Sequence, residues 1–144
     1  MKKLLYVLMA GLVLLTSACS IGSSPDKAVE ALYKAALKND EETYNNIVGG
    51  NSDLVGSIDM VAGMVREMGG VEKLNFETIK KKNLLKEIEE DLEEQYQNPW
   101  EVVMVSPKKS EDEDEEVVFW IMEKVDGDYL VGEVDTDYKD DVLK

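Results

Sequence analysis

The sequence has no histidine and only one cysteine among its 144 residues. The side chain that most often serves as a general base near neutral pH, and as a metal ligand, is therefore missing. A lone cysteine, at position 19, cannot close an intramolecular disulfide, so the fold must hold by packing alone. Aromatic residues are sparse, at 7%. Positive charge is also scarce, with 16 Lys and Arg against 31 Asp and Glu and a formal net charge of −15. A surface this negative repels nucleic acid and anionic lipid headgroups, so no nucleic-acid partner is expected. No apolar run reaches the roughly 20 residues that a membrane-spanning helix needs. Hydrophobic residues nevertheless make up 44% of the chain, which is enough for one modest globular core.

What is present begins with a leader. Met1-Lys2-Lys3 is a positive start, and residues 4–15 are apolar apart from Gly11 and the hydroxyl of Tyr6. Small residues follow at Ser17 and Ala18, which is the anatomy of a secretory signal. The stretch Leu15-Thr16-Ser17-Ala18-Cys19 resembles a bacterial lipobox, with Thr16 where leucine is more usual. The resemblance implies a diacylglyceryl group on the Cys19 thiol and cleavage between Ala18 and Cys19. It also implies an exported protein, lipid-anchored on the outer face of the cell membrane, or in an outer membrane if one exists. Residues 1–18 are thus expected to be signal peptide and residues 19–24 a lipidated tether. The five residues from Ser20 to Ser24 span at most about 17 Å, so the domain should sit close to its membrane.

The segment 25–134 reads as one α+β domain. Ser24-Pro25-Asp26 has the marks of a helix start: a capping side chain, a proline at the first position and an acid at the positive end of the dipole. Val29, Leu32, Tyr33, Ala36 and Leu37 then form one apolar stripe. Asp40 is expected to cap a second helix over 41–48, stopped by Gly49-Gly50. A third helix is expected over 53–68, with Met60, Met64 and Met68 filling the core. Residues 71–80 predict a strand, and Asn83 is expected to cap a helix that buries Leu84, Leu85, Ile88, Leu92 and Tyr96. Its other side carries Glu87, Glu89, Glu90, Asp91, Glu93 and Glu94, a solvated face or a contact for a basic partner. Strands follow at 100–105 and 117–124. The latter is apolar on both faces, which predicts burial on both. Asp126-Gly127 predicts a two-residue hairpin turn, and residues 128–134 the return strand. Residues 135–144 read as an acidic, fraying tail.

The acidic run Glu111-Asp112-Glu113-Asp114-Glu115-Glu116 lacks the alternation and central glycine of an EF-hand loop. It is expected to be a solvated loop, and Asp135, Asp137, Asp140 and Asp141 fail the same test. No nucleophile–base pair, phosphate loop or metal-ligand spacing occurs, so neither an enzyme nor a cofactor is expected.

Two stretches carry a resemblance to a family. Residues 24–40 (SPDKAVEALYKAALKND) resemble the opening of small bacterial lipoproteins with a nuclear transport factor 2-like domain, catalogued as a domain of unknown function. Residues 120–131 (WIMEKVDGDYLV) look like that family's closing hairpin, with Asp128-Tyr129 in place of a lysine-tryptophan pair. The resemblance implies helices packed in a bent antiparallel sheet, a cone that in some members opens into a pocket. Tyr33, Trp100, Phe119 and Trp120 are the candidate pocket lining. The leading expectation is a non-catalytic binding or scaffold module at the cell envelope, taking an envelope protein or a small apolar ligand. One alternative is an accessory protein that docks a basic partner on its acidic surface, with salt-sensitive binding. Another is an isomerase or dehydratase of the cone type.

Overall fold

The computed structural model describes residues 24–109 and 115–144. The expected signal peptide, Ala18, Cys19 and most of the acidic run lie outside the described residues. The fold is α+β, built on one four-stranded antiparallel sheet in which chain order and spatial order coincide. Its strands are β1 (Leu74–Ile79), β2 (Trp100–Pro107), β3 (Glu116–Val125) and β4 (Asp128–Tyr138).

Helices α1 (Pro25–Lys38), α2 (Glu41–Val48), α3 (Ser52–Val55) and α4 (Ile58–Glu67) cover one face of the sheet. Pro25 occupies the first turn of α1, while Ser24 makes no capping bond with its side chain. Asn39 ends α1 in the left-handed conformation, and the Asn39 and Asp40 amides return to the carbonyls of Ala36 and Ala35. Asp40 caps α2 by accepting from the Thr43 amide at 3.1 Å.

The expected third helix is two helices. Gly56, at φ +90°, breaks the chain, and the Ser57 side chain caps α4 by accepting from the Met60 amide. The methionines separate in the same way. Four residues advance a helix by about 400° rather than a full turn, so residues spaced by four drift around it. Met64 and Met68 pack against the core beside Val61 and Val65, whereas Met60 is 67% exposed.

The other face of the sheet is covered by α5 (Lys86–Gln95) and a short helix, α6 (Lys139–Val142). The helix begins two residues later than the sequence predicts, because Leu84 is buried and bridges to Leu143. That bridge keeps the backbone extended through Leu85, and Asn83 closes a 3-10 turn instead of capping a helix. The expected strand over 71–80 likewise opens with a 3-10 turn at Val71–Lys73 before β1.

With cover on both faces, β2 and β3 alternate between two cores. Val103, Val105, Val118, Trp120 and Met122 meet the α1–α4 layer. Trp100, Val102, Met104, Val117, Phe119 and Ile121 meet α5 and α6. This is why the two strands read as unbroken apolar runs. The β3–β4 turn is the expected one, with Asp126 and Gly127 both at positive φ (52° and 92°).

The fraying tail over 135–144 is not observed. β4 continues to Tyr138, and α6 folds back so that Val142 is buried in the second core. Strand pairing of Asp135 and Asp137 with Phe119 and Val117 outweighs their individual reluctance to form strand.

Candidate functional site

The sheet divides the four candidate pocket residues into two pairs. Tyr33 and Trp120 lie on the α1–α4 side, 0% and 1% exposed. The Trp120 indole Nε1 donates to the Tyr33 hydroxyl at 2.9 Å, and the rings meet edge to face with centroids 5.7 Å apart. Phe76 closes the cluster, 5.4 Å from the Tyr33 ring. Burial pushes the Tyr33 hydroxyl well above the usual tyrosine range, opposed only by the Trp120 bond. These side chains fill the space between sheet and helices.

Trp100 and Phe119 lie on the α5 side, both buried. Lys81 Nζ stands 4.0 Å over the Trp100 ring and also pairs with Glu93 at 2.5 Å. That arrangement closes the β1 side of α5. Trp100 Nε1 is buried and finds no acceptor among the described residues. Phe119, 3% exposed, lies beneath a groove.

That groove, about 260 Å³ in volume, runs between α5 and β4. Its floor is Leu92, Val102, Phe119, Ile121 and Val142. Its rim carries Asp91 from α5 and Glu133, Asp135 and Asp137 from β4. Strand geometry places the last three together, because residues two apart share a face. Each stands opposite an apolar residue of β3 on that face: Glu133 opposite Ile121, Asp135 opposite Phe119 and Asp137 opposite Val117. The α5 helix covers the middle of the sheet but leaves this margin uncovered. The result is an apolar floor with four carboxylates around it and no Lys or Arg in its lining.

The carboxylates are held locally. The Asp135 and Asp137 Oδ1 atoms accept from the amides of Thr136 and Tyr138, each at 2.8 Å. Glu133 Oε2 accepts from Gln95 Nε2 at 3.1 Å. Next to Glu133, the β3–β4 register shifts by one residue, leaving Gly132 as a bulge. The Tyr96 ring packs on that glycine so closely that a Cβ there would lie 2.6 Å from the hydroxyl oxygen. Burial, with Glu133 and Glu123 nearby, pushes the Tyr96 hydroxyl up to about 12.

A second hollow, about 550 Å³, lies beside the start of β1 and the end of β2, with Lys73, Lys108 and Lys109 around it. Lys108 Nζ donates to the Glu72 carbonyl, and the Lys108 amide to the Lys73 carbonyl. Among the described residues, no cluster of three or more acidic or cysteine side chains could hold a metal ion. Nor is any described helix long and apolar enough to cross a membrane.

In the sequence, Asp91 is one acid among several on a helix face that reads as solvated or as a contact for a basic partner, and Asp135 and Asp137 read as a failed calcium motif in an acidic tail. The signal for the rim was the alternation Glu133-x-Asp135-x-Asp137, running on from Val131 at strand period. It was obscured by the expectation that the strand stops at Val134. The chain matches no family model, and no curated protein or solved structure matches it.

Proposed function

We propose that this chain is an exported, lipid-anchored, non-catalytic binding module of the bacterial cell envelope, and that it docks a basic partner in the groove between α5 and β4. The groove carries the reading. Its floor offers apolar contact to the methylene stem of a lysine or arginine, and its four carboxylates offer ion pairs to the charged head. The net charge of −15 favours the approach of a cationic partner from a distance. The close filling around Tyr33 and Trp120 favours this margin over an apolar pocket inside the helix layer.

The anchor rests on Leu15-Thr16-Ser17-Ala18-Cys19 and on the short tether after it. The nuclear transport factor 2-like cone is proposed on the two quoted stretches. The placement of α1–α4 together on one face of an antiparallel sheet supports it.

The test is a titration of the full-length protein, in detergent, with a lysine-rich peptide at low and high salt. Binding should weaken at least tenfold as salt rises through the range where surface charges become screened. Salt-indifferent capture of a small apolar molecule would replace the basic partner with the apolar-ligand reading. In cells given radioactive fatty acid, the wild-type chain should label and Cys19→Ser should not. Equal labelling would remove the anchor.

A further inference from the structure

Resting on the groove as a basic-partner site, we infer that the partner binds as an extended strand added to the free edge of β4, with its basic side chains opposite Glu133, Asp135 and Asp137.

β4 is a terminal strand of the sheet, with β3 on one side only. Its first half is occupied on the outer side: Asn51 Nδ2 donates to the Val131 carbonyl at 2.7 Å, and α2 and α3 lie against the strand there. Its second half is different. In an antiparallel pair, alternate residues turn both backbone groups toward the partner or away from it. The Thr136 and Tyr138 amides donate to aspartate side chains of their own strand. They are therefore the outward groups, and Val134 falls in the same phase. Among the described residues, no backbone amide of another element donates to the Val134 or Thr136 carbonyl.

The two aspartates therefore have a double role. In the free protein they cover the outward amides, which blunts an edge that would otherwise recruit any strand. A neutral strand gains little by displacing them. A second copy of this chain would place aspartate near aspartate and be repelled. A basic strand meets neither obstacle. Its carbonyls take over the Thr136 and Tyr138 amides, and its ammonium or guanidinium groups take the released carboxylates as ion-pair partners. The side chains that face the α5 side lie next to the groove floor, within reach of Asp91. The acceptor exchange makes basic character a condition of entry, while the backbone bonds supply affinity with little dependence on sequence.

The test uses the full-length protein in detergent and a fluorescent peptide of alternating lysine and valine. Two further versions carry N-methyl groups on alternate backbone amides, one version in each phase. Strand addition predicts that methylation in one phase lowers affinity about tenfold or more, while the other phase binds like the parent, because only one set of amides faces β4. Thr136→Pro removes an outward donor at an edge position that tolerates proline, and should weaken the parent peptide by about fivefold or more. The unmethylated, lysine-bearing peptide should also slow hydrogen exchange at Thr136 and Tyr138. If both methylated peptides bind as tightly as the parent, strand addition is wrong and side-chain docking in the groove survives. If no lysine peptide binds at low salt, the groove reading itself falls and this inference with it.

Discussion

The two faces of the sheet are built from the same two strands yet end in opposite conditions. On the α1–α4 side, Val103, Val105, Val118, Trp120 and Met122 are covered by four helices, and a hydrogen-bonded Tyr33–Trp120 pair fills the centre. On the α5 side, one ten-residue helix and a short α6 cover the middle of the sheet and leave the β4 margin open. The difference lies in the amount of helix available, not in the hydrophobicity of β2 and β3. A face with surplus cover becomes core, and a face with too little keeps a groove. The strand beside that groove carries acids at every second position.

Substitutions can break this comparison, and the largest effect is expected on the filled face. Trp120→Ala should cost about 3–5 kcal/mol in urea unfolding, through the lost contacts and the cavity left behind. Trp120→Phe should cost less, about 1–3 kcal/mol, because it chiefly leaves the Tyr33 hydroxyl buried without its donor. A near-neutral Trp120→Ala would mean that this face is not the closed core described above.

Next comes the junction of the two faces at the bulge. Gly132→Ala should destabilise by about 1–3 kcal/mol through the clash with Tyr96, a case of overpacking. The cost should shrink in a Tyr96→Ala background, where the neighbouring ring is gone. Equal costs in the two backgrounds would show that Tyr96 does not set the limit.

Alkali should also distinguish the faces. Tyr33 and Tyr96 both have hydroxyls raised above the usual tyrosine value of 10.0. A raised acid favours the neutral folded form, so this stability is complete below pH 10.0 and is lost as pH climbs past it, through about 12 for Tyr96. Thermal melts across that window should fall more gently for Tyr33→Phe than for Tyr96→Phe, because Tyr33 is the more deeply buried. The reverse order would place the more strongly desolvated tyrosine on the groove side.

The smallest stability effect belongs to the rim. Asp135→Asn and Asp137→Asn keep an oxygen that can accept from the neighbouring amide and remove only charge, so each should change stability by about 0.5 kcal/mol or less. Binding of a lysine-rich peptide should nevertheless weaken by about threefold or more for each, with a flatter salt dependence. Variants that bind like the parent would separate the rim from recognition.

Much of the architecture was readable locally. The α2 boundaries, the Asp40 cap and the Asp126-Gly127 turn all follow from neighbouring residues, and all are observed. The α1 stripe is observed as well, with Val29, Leu32, Tyr33 and Ala36 buried. The misplaced features depend on distant partners. The start of α5 is set by a bridge between Leu84 and Leu143, almost sixty residues apart, and the end of β4 by pairing with β3. The groove was missed for the same reason. Asp91 and Asp135 are unremarkable in sequence and become neighbours only when α5 lies across the sheet.

The sequence by itself determined composition-level and short-range matters: a strongly acidic chain without histidine, amphipathic helices and apolar strands. These depend on charge, periodicity and steric preferences that act within a few residues. Tertiary structure alone decided that the four candidate aromatics would be divided between two faces, that Phe119 rather than Tyr33 would lie under a groove, and that Asp135 and Asp137 of an apparent acidic tail would join Asp91 and Glu133 in its rim. Those outcomes depend on how much helix reaches each face of one sheet, a quantity that no local pattern carries.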